Sequence, residues 1–168
     1  MLDKALALFR KFNIDYGEFR DERETSSSIS LRDEETSVST GDLQGLSVRM
    51  LVKGSWGFAS SDDPALMGMI FERAYKLATI TRGKSRVDSV FSSSGTYGTK
   101  TKTPLADVAI ETKMKDMCEL QGSLSGECIF SRSVRYSDSI CEERFVNTSG
   151  SECKQKTSRV YLAMMSVA

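Results

Sequence analysis

The sequence predicts an α+β fold in which about three helices pack on a mostly antiparallel sheet. Apolar residues recur at helical spacing in three separate stretches. Short runs that alternate apolar and polar residues lie between and after these stretches, as is typical of strands. Runs of strands interrupted by single helices favour an antiparallel sheet over a parallel one. The 168 residues are predicted to form one domain, spanning 1–168.

Three helices are predicted from their apolar faces. Their predicted ranges are Leu2–Phe12, Pro64–Thr81 and Asp107–Leu120. Asp63 suits the cap of the second helix, and proline suits its first position. The predicted apolar face of that helix consists of Leu66, Met69, Ile70, Ala74, Leu77 and Ala78, widened by Met67, Phe71 and Tyr75.

A β-hairpin is predicted over Gly45–Ser60, with its turn at Gly54. Its first strand places Leu46, Val48, Met50 and Val52 on one face. The return strand begins at Trp56, the only tryptophan, and we expect Trp56 and Phe58 to pack against the helices. Arg49 points to the face opposite Val48. There it either pairs with a nearby acid or contacts a substrate.

The remaining strands are predicted from shorter alternations. The ranges are Ile14–Arg23, Ser28–Leu31, Thr36–Thr40, Cys128–Tyr136, Ile140–Asn147, Ser151–Lys156 and Arg159–Val167. The predicted turns are Arg32–Glu35, Asp138–Ser139 and Asn147–Gly150, and Val38 is expected to point inward.

The segment Arg82–Thr103 is basic and rich in Gly, Ser and Thr. Val90 and Phe91 are among the apolar residues that interrupt it. Its cations and aromatic residues could contact RNA or a peptide. A surface connection that carries one short strand is the simpler interpretation.

Charge and composition argue against several classes of function. Lys plus Arg equals Asp plus Glu at 23 each, so no overall field favours nucleic acid or an anionic membrane. No apolar run approaches the roughly 20 residues that cross a bilayer. The first residues lack the pattern of a signal peptide. We therefore expect a cytoplasmic protein without a membrane partner.

The chain contains no histidine. This removes nucleophiles activated by His and every metal motif that needs His. The four cysteines, Cys118, Cys128, Cys141 and Cys153, are widely spaced and are expected to be reduced thiols. No catalytic residue, metal ligand or cofactor is therefore predicted in this chain.

The hairpin carries the pattern Gly45-x-Ser47-x-Arg49-x-Leu51-x-x-Gly54-x-Trp56-Gly57-Phe58-Ala59-Ser60. This pattern resembles the hairpin near the front of the TldD/PmbA proteins, which are metalloprotease-like and are also called modulators of DNA gyrase. Its Trp-Gly-Phe-Ala-Ser form is more similar to the TldD branch. The stretch from Phe145 to Gly150 is similar to a family strand that ends in Phe-x-Asn-Ser-x-Gly, with Thr148 where Ser is commoner.

The resemblance implies an N-terminal domain whose C-terminal half lies outside this chain. In the metal-bearing branch that half holds zinc through a His-Glu-x-x-x-His helix and a later Cys. This chain alone is therefore expected to be inactive. Arg49, Trp56 and Phe58 are the expected contacts for a substrate or partner, and Ser151–Lys156 is a candidate docking strand.

Three functions are consistent with these observations. The first is a non-catalytic N-terminal domain of a TldD-like metalloprotease, acting in peptide processing or proteolysis. Its partners would be an unfolded peptide and a TldD/PmbA-type subunit or C-terminal half. The second is a stand-alone regulatory or binding module. The third, a small nucleic-acid-binding protein, is disfavoured by the zero net charge.

Overall fold

A computed structural model describes residues 1–88 and 92–168. The described residues form a six-stranded, mostly antiparallel sheet in the order β3-β2-β1-β5-β6-β4, together with three α-helices, which confirms the predicted α+β class. In chain order the elements are α1 (Leu2–Phe9), β1 (Tyr16–Arg32), β2 (Glu35–Val52), β3 (Ser55–Ser61), α2 (Met67–Ile80), β4 (Ser94–Gly98), α3 (Ile110–Ser123), β5 (Ser131–Asn147) and β6 (Glu152–Val167).

The chain divides into two compact units, each built from several segments. The first unit comprises Met1–Arg23, Leu43–Tyr97 and Glu142–Lys156, and the second comprises Glu24–Asp42, Gly98–Cys141 and Thr157–Ala168. Each unit has its own buried apolar cluster. The long strands β1, β2, β5 and β6 contribute residues to both.

The first unit packs α1 and α2 on the sheet. Phe71 of α2 is fully buried, and its ring centroid lies 4.7 Å from that of Phe9 and 6.0 Å from that of Phe19. Burying three aromatic rings removes several hundred Å² of apolar surface from water, which is the main source of stability for such a core. The cluster also contains Leu2, Ala5, Leu46, Val48, Met50, Ala59, Met67, Ile70, Ala74 and Val146.

The second unit packs α3 on strands β1 and β5. Ile29, Leu31, Val134 and Met117 form its buried cluster. The predicted strand Ser28–Leu31 is therefore part of β1, because the apolar alternation of Ile29 and Leu31 continues that strand into this core.

Two expectations for the strands are wrong. Val38 does not point inward but is 44% exposed, within a run of ten exposed residues in β2. Asp138 and Ser139 do not form a turn, because β5 runs through them as one strand. The carboxylate of Asp138 is buried and fully hydrogen-bonded, which removes the usual reason for an aspartate to lie in a turn. The predicted turn after Arg32 is correct, and Asp33 adopts φ +52° there.

The helices lie where they were predicted, but their ends differ. α1 ends at Phe9, because Lys11 and Phe12 donate backbone hydrogen bonds three residues back, to Leu8 and Phe9, and so form a tighter turn. A 3-10 turn, Pro64–Leu66, precedes α2, and the carboxylate of Asp63 caps it by accepting from the N–H of Ala65 at 2.8 Å. A similar turn, Leu105–Asp107, precedes α3.

The described residues of the segment Arg82–Thr103 contain one short strand, β4, as expected. Val90 and Phe91, which were singled out in the sequence, lie outside the described residues. Among residues 1–88 and 92–168, no helix has the length and apolar character needed to cross a membrane.

Candidate functional site

The hairpin of β2 and β3 presents two different faces. In its register Met50 pairs with Gly57 and Val48 with Ala59, whereas Leu51 pairs with Trp56 and Arg49 with Phe58. Side chains alternate along each strand, so these two sets of pairs point to opposite sides of the sheet. Val48 and Met50 are fully buried in the core of the first unit. The other set forms the face that carries the three predicted contact residues.

The expectation that Trp56 and Phe58 pack against the helices is wrong. Gly57 and Ala59 occupy that side of β3, and a Cβ atom on Gly57 would collide with the backbone oxygen of Ala74 in α2. The helix approaches the strand so closely that only glycine fits between them. Trp56 is consequently half-buried, and Phe58 is 56% exposed on the opposite face. We call this surface the hairpin face, defined by Tyr16, Glu18, Arg49, Trp56 and Phe58.

Arg49 is held in place by an acid and an aromatic ring. Its Nε atom lies 2.9 Å from Oε1 of Glu18, and its guanidinium carbon lies 4.4 Å from the centroid of the Trp56 ring. The Glu18 side chain is 14% exposed and that of Arg49 is 48% exposed. The predicted pairing with an acid is present, yet about half of the cation remains open to solvent. Stacking on Trp56 reduces the rotamer freedom that binding would otherwise have to remove.

Tyr16 completes the arrangement from β1. Its hydroxyl donates to Oε2 of Glu18 at 3.0 Å and accepts from Nδ2 of Asn147 at 3.3 Å. Its ring meets the Trp56 ring edge-on at 5.9 Å. Burial and the neighbouring Glu18 charge raise the pKa of Tyr16 above its ordinary value, so the hydroxyl remains a donor at neutral pH. Both oxygens of Glu18 are therefore used, one by Tyr16 and one by Arg49.

Tyr16, Glu18 and Asn147 were not chosen from the sequence as site residues. The alternation in β1 does place Tyr16 and Glu18 on one side of the strand, which was an available signal. Asn147 lies in the family-like stretch that begins at Phe145, but its contact with Tyr16 joins residues 131 positions apart. Sequence periodicity carries no information about such a contact.

The hairpin face has the properties of a binding surface. It combines a fixed, half-exposed cation with an exposed aromatic ring, and its acid is already neutralised by Arg49. An extended chain can lie on such a surface through apolar contacts, with a carbonyl oxygen or carboxylate directed to the guanidinium.

A second polar cluster lies inside the second unit. Nζ of Lys113 is 2.5 Å from Oδ2 of Asp138, and both side chains are at most 10% exposed. Tyr136 and Ser27 also donate to this carboxylate, at 2.5 and 2.7 Å. Burial acts to raise the pKa of Asp138, but these hydrogen bonds and the Lys113 charge lower it below its ordinary value. Burial and Asp138 raise the pKa of Tyr136.

This cluster fixes α3 on the sheet of its unit. Lys113 comes from α3, Ser27 from β1, and Tyr136 and Asp138 from β5. Since the carboxylate accepts from all three side chains, the network is satisfied and has the character of a structural contact. The cysteines are free thiols, with Cys118 and Cys128 exposed.

Comparisons with known proteins agree with the sequence pattern. Residues 18–78 match the family model described as PmbA/TldA metallopeptidase domain 1. A metalloprotease of Methanothermobacter thermautotrophicus is 29% identical over 156 residues, which cover 92% of this chain and 34% of that relative.

Two solved structures share the fold. A protein of Thermotoga maritima, described as a modulator of a DNA gyrase, has a TM-score of 0.80 at 16% identity, over 99% of this chain and 39% of its own. TldE from Thermococcus kodakarensis has a TM-score of 0.67 at 18% identity, with the same two coverages. The chain thus spans little more than a third of the length of these proteins.

The fold and the matched hairpin together define an α+β domain that is similar to the first domain of metallopeptidase-like proteins. Residues 18–78 match the first domain of the TldD/PmbA family model, and the chain shares its fold with the two solved structures. The closer likeness to the TldD branch remains a prediction. Because the chain contains no histidine, its residues do not fit the family's His-Glu-x-x-x-His zinc site.

Proposed function

We propose that this chain acts as a non-catalytic N-terminal domain of a TldD-like metalloprotease, which binds peptide segments and assembles with a metal-bearing partner. The partner is a TldD/PmbA-type subunit or C-terminal half. The match to the family model and the likeness to a metalloprotease support a role in proteolysis or peptide processing. The absence of histidine supports a role outside the zinc site itself.

The hairpin face is the observation that carries the peptide-binding part of this proposal. Phe58 is 56% exposed although it belongs to the Trp-Gly-Phe-Ala-Ser part of the hairpin motif. Arg49 is oriented by Glu18 and Trp56 before any ligand arrives. A preoriented cation beside an exposed ring lowers the entropic cost of holding a flexible chain.

The end of β6 supports the assembly part. Within the described residues of the second unit, six large apolar side chains of this strand are 46–61% exposed: Val160, Tyr161, Leu162, Met164, Met165 and Val167. Clustered apolar side chains of this kind mark interaction surfaces. The sequence-based candidate, Ser151–Lys156, is less suited to docking. Ser151 is only 8% exposed, and the N–H of Glu152 already donates to the oxygen of Ser93.

Peptide binding can be followed through Trp56, because it is the only tryptophan of the chain. We expect an unstructured, apolar peptide to shift the Trp56 emission on titration. Phe58→Ser should weaken binding roughly tenfold, since it removes the exposed ring from the face. Ile80→Ser, at a site 74% exposed in α2, is the matched control and should bind like the parent chain. Equal binding by both variants and the parent would remove the hairpin face from consideration.

Assembly can be tested by complementation. We expect the purified chain to retain no stoichiometric zinc and to cleave no peptide. Addition of a metal-bearing TldD/PmbA-type polypeptide should yield cleavage that a strong chelator abolishes. Binding without any change in the partner's cleavage would favour the stand-alone regulatory module instead. Chelator-sensitive peptidase activity of the chain alone, with zinc retained after dialysis, would contradict the non-catalytic role.

A further inference from the structure

We propose that a hollow at the tip of the β2–β3 hairpin binds the C-terminal carboxylate of a peptide whose last side chain is apolar. This inference rests on the proposed peptide-binding function and names the part of the peptide that is recognised. The hollow lies within the first unit and has a volume of about 780 Å³. We call it the tip hollow, and six of its lining residues carry the argument: Asp15, Leu51, Lys53, Lys84, Arg86 and Val87.

The wall of the tip hollow is held by backbone contacts. Gly54 has φ +78°, and Lys53 before it has φ +47°, which makes a tight turn. Gly83 packs against this turn so closely that a Cβ on Gly83 would collide with the carbonyl oxygen of Gly54. The N–H of Ser85 donates to that same oxygen at 3.0 Å. The segment carrying Lys84 and Arg86 is thereby fixed beside Lys53.

The charges of the tip hollow suit an anion. Among the described lining residues, Lys53, Lys84 and Arg86 contribute three cations against one acid, Asp15, and all four residues are exposed. In the described stretches 1–88 and 92–168, none of the four forms an ion pair. In the folded chain these cations are therefore available to a ligand, and a carboxylate would gain charge-assisted hydrogen bonds from them.

The interior of the tip hollow suits an apolar side chain. Leu51, which is 2% exposed, and Val87, which is half-buried, both line the hollow. A phosphate group alone would leave this apolar lining unused. A peptide terminus offers an anion and a side chain on the same residue, which matches both features.

The register of the hairpin connects the tip hollow with the hairpin face. Leu51 pairs with Trp56, and the next pair on the same face is Arg49 with Phe58. Successive pairs on one face are about 7 Å apart, which is also the distance between alternate side chains of an extended peptide. A peptide anchored by its carboxylate in the hollow can therefore run along the hairpin, with the preceding side chains over Trp56 and Phe58.

The test compares one peptide in two forms, a short unstructured sequence ending in Leu as the free acid and as the C-terminal amide. Calorimetric titration should show the acid binding roughly tenfold tighter than the amide. The double variant Lys84→Ala/Arg86→Ala should remove this preference, so that the acid binds no more tightly than the amide. Lys100→Ala/Lys102→Ala removes two exposed cations from the same basic segment and serves as the control, which should keep the preference. Circular dichroism confirms the fold of each variant.

The outcomes separate this inference from the proposed function. Equal affinities of the acid and the amide for the parent chain would overturn the tip hollow as a carboxylate site. Binding that still depended on Phe58 would then leave the proposed function standing, whereas no binding of either form would overturn both. A single-stranded oligonucleotide could instead bind more tightly than the acid, in a salt-dependent way. If only Lys84→Ala/Arg86→Ala lost this binding, the hollow would be assigned to nucleic acid. A peptide ending in Asp that bound as tightly as one ending in Leu would contradict the apolar specificity.

Discussion

At the scale of single residues, the strand alternation predicts orientation well but does not say which face is buried. Arg49 was placed opposite Val48, and it lies there, paired with Glu18. For the return strand, the sequence predicts that Trp56 and Phe58 pack against the helices. The structure instead buries Gly57 and Ala59 and leaves Phe58 exposed, because α2 comes into backbone contact with β3. The distance between a helix and a strand is set by tertiary packing, and the local pattern contains no measure of it.

Gly57→Ala is the residue-scale test of this close contact. A methyl group there would meet the backbone of Ala74, which cannot move like a flexible side chain, so α2 and β3 would have to separate. We expect the free energy of unfolding to fall by about 2–3 kcal/mol, as for other overpacked sites. Urea denaturation measures the change.

Gly45→Ala is the matched control in the same hairpin, because no atom lies within 4 Å of a Cβ placed there. It should change the free energy of unfolding by less than about 1 kcal/mol. If Gly45→Ala and Gly57→Ala lowered the free energy of unfolding by similar amounts, close packing of α2 on β3 would not be the reason for glycine at position 57.

At the scale of secondary structure elements, helical periodicity located all three helices but misjudged the width of a buried face. In α2 the buried residues are Met67, Ile70, Phe71, Ala74 and Ala78. Ile70, Ala74 and Ala78 belong to the predicted apolar face, and Met67 and Phe71 belong to the residues that widen it. Met69 and Leu77 were also predicted to be buried, and they are 54% and 42% exposed. An apolar side chain at the edge of the apolar face of a helix can be either buried or exposed to solvent. The surface that packs against the helix determines which of the two occurs.

The Asp138 network is the element-scale contact that sequence could not predict, because its members come from three different elements. We expect Asp138→Asn to lower the free energy of unfolding by about 3 kcal/mol at neutral pH, since it leaves the buried Lys113 cation unpaired. The pKa of Asp138 is lowered in the folded chain from its ordinary value of 3.8. The carboxylate therefore stabilises the fold above that value, and this contribution is lost as pH falls toward the folded pKa.

The stability difference between the parent chain and Asp138→Asn should accordingly be constant near neutrality and shrink below about pH 3.8. Denaturation curves recorded over this range measure it. Glu119→Gln removes the acid from an exposed pair with Lys115, in which both side chains are more than two-thirds exposed. It should cost less than about 1 kcal/mol. A difference for Asp138→Asn that grew in acid would show that the folded chain does not favour the charged carboxylate.

At the scale of the whole molecule, the apolar periodicities were enough to predict the fold class, and the hairpin motif was enough to find the resemblance to the TldD/PmbA family model. The division into two units was not predicted. It arises because each long strand supplies residues to both units, and a pattern of alternating residues does not show where a strand passes from one buried cluster to another. The sequence predicts the apolar end of β6 as the strand Arg159–Val167, and its pattern does not show whether the side chains are covered. Its exposure becomes visible only in three dimensions.

The exposed end of β6 leads to the last prediction, which follows from the proposed assembly. Tyr161 and Met165 lie on one face of the strand and are 61% and 59% exposed. If this surface docks the metal-bearing TldD/PmbA-type partner, a charge introduced there must be desolvated on association. We expect the double variant Tyr161→Lys/Met165→Lys to weaken association by roughly a hundredfold, measured by sedimentation velocity of the mixture, with a parallel loss of stimulated cleavage.

Ile80→Lys is the control for this prediction, because Ile80 is 74% exposed at the end of α2 in the first unit. It introduces the same charge at an apolar surface position and should leave association unchanged. Both variants should unfold at the same denaturant concentration as the parent chain, since neither replaces a buried side chain. If Tyr161→Lys/Met165→Lys bound the partner as tightly as Ile80→Lys, the exposed end of β6 would not be the assembly surface, and the proposed partner would have to dock elsewhere.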